Sequence, residues 1–148
     1  MSNLIHIADE AAMIDFGERL ASVCAHARLV FLQGELGAGK STMVRGFMKG
    51  CGYHGRVKSP TFTLVEPYEL GDKTVYHMDL YRLSDPEELE FIGIRDMLGK
   101  NSVCLVEWPD KAGGMLGKPD ITIKINYLES GRDVELIGLN SDSVELIK

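Results

Sequence analysis

"FLQGELGAGKSTMVRGF", residues 31 to 47, sets a short apolar run before a glycine-rich turn, then Lys-Ser-Thr, then a helical pattern. Within it "GELGAGKS", Gly34 to Ser41, satisfies G-x-x-x-x-G-K-[ST], the pattern of a phosphate-binding loop. Each position has a chemical reason. Gly34, Gly37 and Gly39 let backbone N–H groups curl around phosphate oxygens where side chains would obstruct them, with Glu35, Leu36 and Ala38 completing the turn. Lys40 has the reach for β- and γ-phosphates, Ser41 offers a hydroxyl to Mg²⁺, and Thr42 a hydroxyl to the α-phosphate. The helix that starts there points its positive end at the anion. With glycine at about 7% of residues, a chance match is expected on the order of once per few hundred chains of this length. The strand before and the helix after are both present, so the turn reads as the holder of a nucleoside triphosphate.

Outward from the turn, the pattern is that of an α/β domain. Residues 9 to 27 read as an amphipathic helix, with Asp9 as N-cap and Met13, Phe16, Leu20, Cys24 and Ala27 at helical spacing. "RLVFLQ" is a buried strand, and residues 40 to 50 a helix with Met43, Val44, Phe47 and Met48 on one face, closed by Gly50 and Gly52. "SPTFTLVEPYEL" and "KTVYHMDLYRL", separated by "GD", read as a hairpin whose first strand is at an edge or bulged because it contains Pro67. "SDPEELEFIGIRDMLG" reads as a helix, Asp85 capping, Pro86 first, Glu88 closing a capping box. "NSVCLVEWP" is a buried strand stopped by Pro109, and "ITIKINYLESGRDVELIGL" a second hairpin. The fold expected is a single P-loop NTPase-like domain over residues 1–148: a mixed β-sheet flanked by helices, with antiparallel hairpins.

Such a site needs an acidic residue at the end of a second buried strand, to hold Mg²⁺ directly or through water. "VYHMD" ends in Asp79 and "VCLVE" in Glu107; each alone could instead be a solvated strand end. His77 faces the same side as Asp79, two residues on. It reads as a packing or hydrogen-bonding histidine ahead of a catalytic one. Trp108, the single tryptophan, follows Glu107 and is a candidate for a role near the nucleotide as well as for core packing. "SPTFT" supplies Ser59, Thr61 and Thr63, hydroxyls that can fold over a γ-phosphate or simply suit a strand. The chain contains no N-K-x-D, and "DMLG" at 96 to 99 ends a helical pattern instead of following a strand, so ATP is favoured over GTP. "GGMLGKP" lacks the closing Ser or Thr and reads as a loop.

A net charge of −6 argues against a chain that grips nucleic acid by itself, since phosphate contacts need a basic footprint. Three cysteines form no C-x-x-C, and Cys24 and Cys104 lie in apolar patterns, which suits buried free thiols in a reducing compartment. "MSNLIHIADE" has no basic leader pattern, and no apolar run approaches a membrane span. A cytoplasmic protein is expected.

"GELGAGKST", "SPTFTLV", "HMDLYRL" and "VEWP", in this order and spacing, resemble the bacterial TsaE family, from about residue 10 to residue 125. The resemblance implies a P-loop ATPase with a mixed sheet that works with two partners, TsaB and TsaD, in making threonylcarbamoyladenosine on tRNA. In that scheme TsaD transfers the group, and the ATPase resets the complex between turnovers, meeting tRNA only through it. Carried over by motif, it implies that Lys40 and the Walker hydroxyls bind ATP and Mg²⁺, that Asp79 and Glu107 support metal and hydrolysis, that Trp108 matters, and that Thr61 is switch-like. The family usually has Thr where this chain has Ser41; either keeps the hydroxyl. The alternatives are a small-molecule or nucleotide kinase on the same P-loop, for which the chain offers no obvious lid, and a nucleotide-dependent switch without hydrolysis. Arg82, just after Asp79, is a candidate arginine finger in cis.

Overall fold

The computed structural model describes residues 3–24, 26–99 and 101–148. The buried strand that feeds the glycine turn, β2 (Leu29–Gln33), lies at the centre of a seven-stranded sheet. Its neighbours are β5 (Ser102–Glu107) and β6 (Ile121–Tyr127), both parallel to it, and β4 (Lys73–Asp79) lies parallel beyond β5. β3 (Val65–Leu70) pairs antiparallel with β4 on one edge. On the other side β7 (Arg132–Ile137) pairs antiparallel with β6, and β1 (Leu4–Ile7) with β7. The order is β1-β7-β6-β2-β5-β4-β3, a parallel centre with antiparallel flanks. Both expected hairpins are present, and the Pro67 strand is the edge strand, where a missing N–H costs no ladder bond.

Strand alternation sorts side chains onto two layers. Val30, Leu32, Val103, Leu105, Val75 and Ile123 face one side, where α1 (Glu10–Val23) and α2 (Lys40–Gly50) pack with the C-terminal helix α5 (Ser141–Ile147). Leu29, Cys104, Val106 and Met78 face the other, covered by Leu83, Leu89, Ile94 and Leu116. Burying Phe16, Leu20, Met43 and Phe47 between the first two helices and the sheet is worth about 1.5–3 kcal/mol for each side chain. Those helices approach closely because glycines face each other's backbone. A Cβ on Gly17 would strike the Met43 carbonyl, one on Gly46 the Ile14 carbonyl, and one on Gly50 the Glu18 carbonyl.

Several boundaries differ from the sequence reading. The first helix ends at Val23, not 27, with Asp9 accepting from the Ala12 N–H at 2.8 Å as its cap; residue 25 lies outside the described residues. Gly50 is still helical, and Gly52, at φ +88, carries the turn instead. "SPTFTL" is turn, not strand; β3 starts only at Val65. The helix expected after Asp85 breaks in two, α3 (Glu88–Phe91) and α4 (Ile94–Met97), because Gly93 takes φ +80 between them. Its entry still has the capping-box chemistry: Glu88 accepts from the Ser84 and Asp85 N–H groups, and Asp85 from that of Glu87. Cys24 and Cys104 are buried and free, their thiols pushed up to about 12 by burial. Among the described residues no helix is long and apolar enough to cross a membrane.

Candidate nucleotide-binding site

Parallel pairing brings three strand ends to one edge. Leu32 on β2 lies opposite Glu107 on β5, and Glu107 opposite Asp79 on β4, so the glycine turn and both carboxylates emerge side by side. This is the carboxyl edge of the parallel strands, where α/β sheets receive ligands. The turn has the backbone its glycines permit: Gly37 at φ +79 and Gly39 at φ +113, with the Ala38 N–H closing onto the Glu35 carbonyl at 3.0 Å. Beside it a cavity of about 230 Å³ is lined by Leu36, Gly37, Gly39, Lys40, Ser41, Thr42, Thr61, Asp79, Glu107 and Trp108. Of the residues singled out from sequence, these ten meet in one place. Gly34, Glu35 and Ala38 lie in the same turn but outside that lining.

The structure buries Lys40, at 5% exposure. Its Nζ donates to the Gly34 carbonyl at 2.6 Å and sits 4.1 Å from the centre of the Trp108 ring. Burial pushes its pKa below the usual lysine value, opposed by the negative fields of Glu107, Asp79 and Glu35. Trp108 itself stands at φ +55, a left-handed conformation that a bulky residue adopts only where its surroundings impose it. Pro109 follows, and Tyr81 packs on the indole with ring centres 5.1 Å apart.

The two carboxylates are held differently. Asp79, 9% exposed, accepts from the Tyr81 N–H at 3.0 Å, a local turn that fixes its rotamer. Glu107, 4% exposed, meets His77 Nε2 at 2.6 Å. The hard oxygen donors Ser41, Asp79 and Glu107 around one cavity are of the chemistry that suits a small divalent ion shared with phosphate oxygens.

Thr61 reaches the cavity from the turn before β3, its hydroxyl 2.7 Å from that of Ser59. Its neighbour Phe62 points outward at 81% exposure, and the Arg82 guanidinium lies over that ring, 4.5 Å from its centre. Arg82 does not line that cavity.

The sequence reading missed what holds the glycine turn from behind. Tyr127 Oη donates to the Leu36 carbonyl at 2.6 Å, and Arg132 Nε to the Ala38 carbonyl at 3.1 Å, while the Arg132 guanidinium stacks on the Tyr127 ring at 4.2 Å. Both belong to the C-terminal hairpin. On this flank a second cavity of about 260 Å³ runs from Gly37, Ala38, Gly39 and Thr42 to Ala8, Asp9, Met13 and Arg132. Residues 91 and 94 positions apart in the chain carry no local signal of such contact.

A glycine turn between a parallel strand and a helix, with two carboxylates at the adjoining strand ends, defines the P-loop NTPase-like class of α/β proteins. A family model described as threonylcarbamoyl adenosine biosynthesis protein TsaE matches residues 7–134. The chain belongs to that family, which serves the biosynthesis of tRNA threonylcarbamoyladenosine. A TsaE of Haemophilus influenzae is 49% identical over 137 residues, covering 89% of this chain and 87% of its own. One of Rickettsia felis is 37% identical over 120 residues, covering 80% and 70%. The crystal structure of Bacillus subtilis YdiB superimposes with a TM-score of 0.71 at 25% identity, over 97% of this chain and 89% of that one.

Proposed function

We propose that this chain is a Mg²⁺-dependent ATPase that acts with TsaB and TsaD, resetting their complex between turnovers of threonylcarbamoyladenosine synthesis and meeting tRNA only through it. The observation that carries the reading is the convergence of Lys40, Ser41, Thr61, Asp79 and Glu107 on one cavity at the carboxyl ends of three adjacent strands. In this reading the amides of the glycine turn and the start of α2 receive the β-phosphate. Lys40 leaves the Gly34 carbonyl for the phosphate oxygens, exchanging a neutral acceptor for an anion that offsets its burial. Ser41, Asp79 and Glu107 are the residues that would hold Mg²⁺, which when bound would supply charge neutralisation at the phosphates. Glu107, a buried carboxylate beside the transfer site, orients the attacking water, and the Thr61 hydroxyl closes over the γ-phosphate from above. The nucleoside is assigned to the second cavity, against Met13 and Arg132.

Phosphate release from ATP, with Mg²⁺ and with chelator, tests this directly. Asp79→Ala and Glu107→Ala are each expected to slow hydrolysis about 10²-fold while nucleotide affinity changes far less, because metal and water positioning act mainly in the transition state. Release that depends on an added acceptor would favour a kinase instead, and binding without any cleavage would leave a switch.

A further inference from the structure

We infer that His77 is a positioning residue for Glu107: its Nε2–H fixes one oxygen of that carboxylate so that the other faces the phosphate cavity, and it keeps Glu107 from pairing with Lys40. This rests on the ATPase reading above. Strand alternation puts Val75, His77 and Asp79 on one face of β4 and Leu105 and Glu107 on the same face of β5. In register, His77 lies opposite Leu105 and Asp79 opposite Glu107, so His77 reaches diagonally across the pair to close its 2.6 Å contact. His77 and Glu107 are 1% and 4% exposed.

Stability does not account for this pair. A buried ionic or polar pair is commonly replaced by apolar residues at no loss, and often at a gain. This one also leaves His77 Nδ1 buried without a hydrogen-bond partner, the single such side-chain atom among the described residues, which adds to its cost. What the pair provides is orientation. Glu107 and Lys40 line the same cavity, and the Glu107 charge acts on the Lys40 ammonium. At low dielectric that attraction is strong. Left free, the carboxylate would collapse onto the lysine and remove both groups from the phosphates. The structure shows the opposite: Lys40 is bonded to Gly34 and Glu107 to His77.

The test compares His77→Leu, which removes the donor, with His77→Gln, which keeps an amide donor of similar reach. His77→Leu is expected to lower kcat, and the apparent affinity for Mg²⁺, by about 10- to 100-fold, the range for hydrogen-bond partners of metal ligands, with KM for ATP at saturating Mg²⁺ moving less. His77→Gln should recover most of both losses. In a Glu107→Ala background, His77→Leu should cost nothing further, because the residue acts through Glu107. Nitrogen-edited NMR of the imidazole adds a readout that needs neither nucleotide nor turnover: the Nε2–H resonance of the unliganded protein should shift or vanish in Glu107→Ala. A folded His77→Leu with wild-type kcat and apparent Mg²⁺ affinity overturns the inference, as do equal losses in Leu and Gln or additive losses in the double variant. If neither His77 variant folds, an Nε2–H signal indifferent to Glu107→Ala overturns it. A wild-type chain that neither binds nor cleaves ATP fails the ATPase reading instead, and is told apart because it needs no variant to be seen.

Discussion

The floor of the site and its rim are built by opposite rules. The floor, Lys40 at the start of α2 with Asp79 and Glu107 at the ends of β4 and β5, is buried, and each polar group already has a protein partner: the Gly34 carbonyl, the Tyr81 N–H, His77. The rim, Ser59 to Leu64 with Arg82, is mostly exposed; Ser59 pairs with Thr61 and Phe62 with Arg82. Buried Pro60 and the Leu64 carbonyl, which accepts from the Asp79 N–H, tie it to the fold. Leu64 closes the segment at φ +67, a conformation a leucine adopts under constraint. A floor assembled without ligand costs no ordering at the moment of binding, which is how preorganised electrostatics works. A rim whose outer side chains, Phe62 and Arg82, meet only at the surface leaves their arrangement to be decided by what binds.

If that division holds, the largest effect belongs to the floor. Lys40→Ala is expected to weaken ATP binding about 100-fold or more, the cost of losing a desolvated charge opposite an anion. The melting temperature should move little, since the lost contact to Gly34 is offset by removing an ammonium that burial disfavours. Calorimetric titration and a thermal melt check both. Near wild-type affinity would break the comparison at its root.

The floor's position depends on how α2 is seated, and this gives the next effect. Gly17→Ala puts a methyl into the Met43 carbonyl and within 2.9 Å of the Phe47 nitrogen, so the helices must separate. Overpacking of this kind costs about 1–3 kcal/mol. Denaturant unfolding should show that loss at unchanged slope, with nucleotide affinity falling because α2 carries Lys40, Ser41 and Thr42. Unchanged stability would mean that the close crossing is not needed.

The floor was also the legible part. The glycine turn, Asp79 and Glu107 announce themselves because each is a local pattern: a loop flanked by strand and helix, or a carboxylate ending an apolar run. Both hairpins follow from strand patterns and turn residues, and the mixed sheet from hairpins set beside buried strands and helices. Other features were hidden for stated reasons. β1 is four residues long and α5 seven, each too short for its periodicity to stand out. The break at Gly93 interrupts what reads as one amphipathic run, because apolar spacing says nothing of a single positive φ. Thr-rich "SPTFT" suits a strand by composition and is a turn in the structure. Gly17, Gly46, Tyr127, Arg132 and the reach of His77 to Glu107 depend on contacts between distant elements, so no window of sequence contains them.

A smaller effect tests the support behind the turn. Tyr127→Phe removes the hydroxyl that donates to the Leu36 carbonyl and keeps the ring under Arg132. One neutral hydrogen bond is worth about 0.5–1.5 kcal/mol, so nucleotide binding should weaken about two- to tenfold if the turn loosens. Titration against ATP and ADP reads it. No change would confine the hairpin to a structural part and leave the floor self-sufficient.

The smallest expected effect in the isolated chain is that of Arg82→Ala, and it separates floor from rim most sharply. As an internal arginine finger, Arg82 would have to reach the γ-phosphate, and its loss would cost ~10³–10⁵ in rate. The structure holds it elsewhere, over the exposed face of Phe62 and outside the cavity lining. A cation over an exposed ring gains only about 0.5–1 kcal/mol, little enough for a partner to undo. Arg82→Ala is therefore expected to leave nucleotide affinity and steady-state phosphate release of the pure chain within about twofold of wild type, since the contact it loses is weak and remote from the phosphates. Phe62→Ala should do the same. With TsaB and TsaD added, the two variants part if docking raises the rate by recruiting the rim: Arg82→Ala then loses that stimulation, and Phe62→Ala, which only frees the arginine, keeps it. A large defect of Arg82→Ala in the pure chain would mean that the arginine swings inward unaided, and the rim would then be part of the floor. Full stimulation of Arg82→Ala by the partners would assign any added transition-state group to them or to the Thr61 segment.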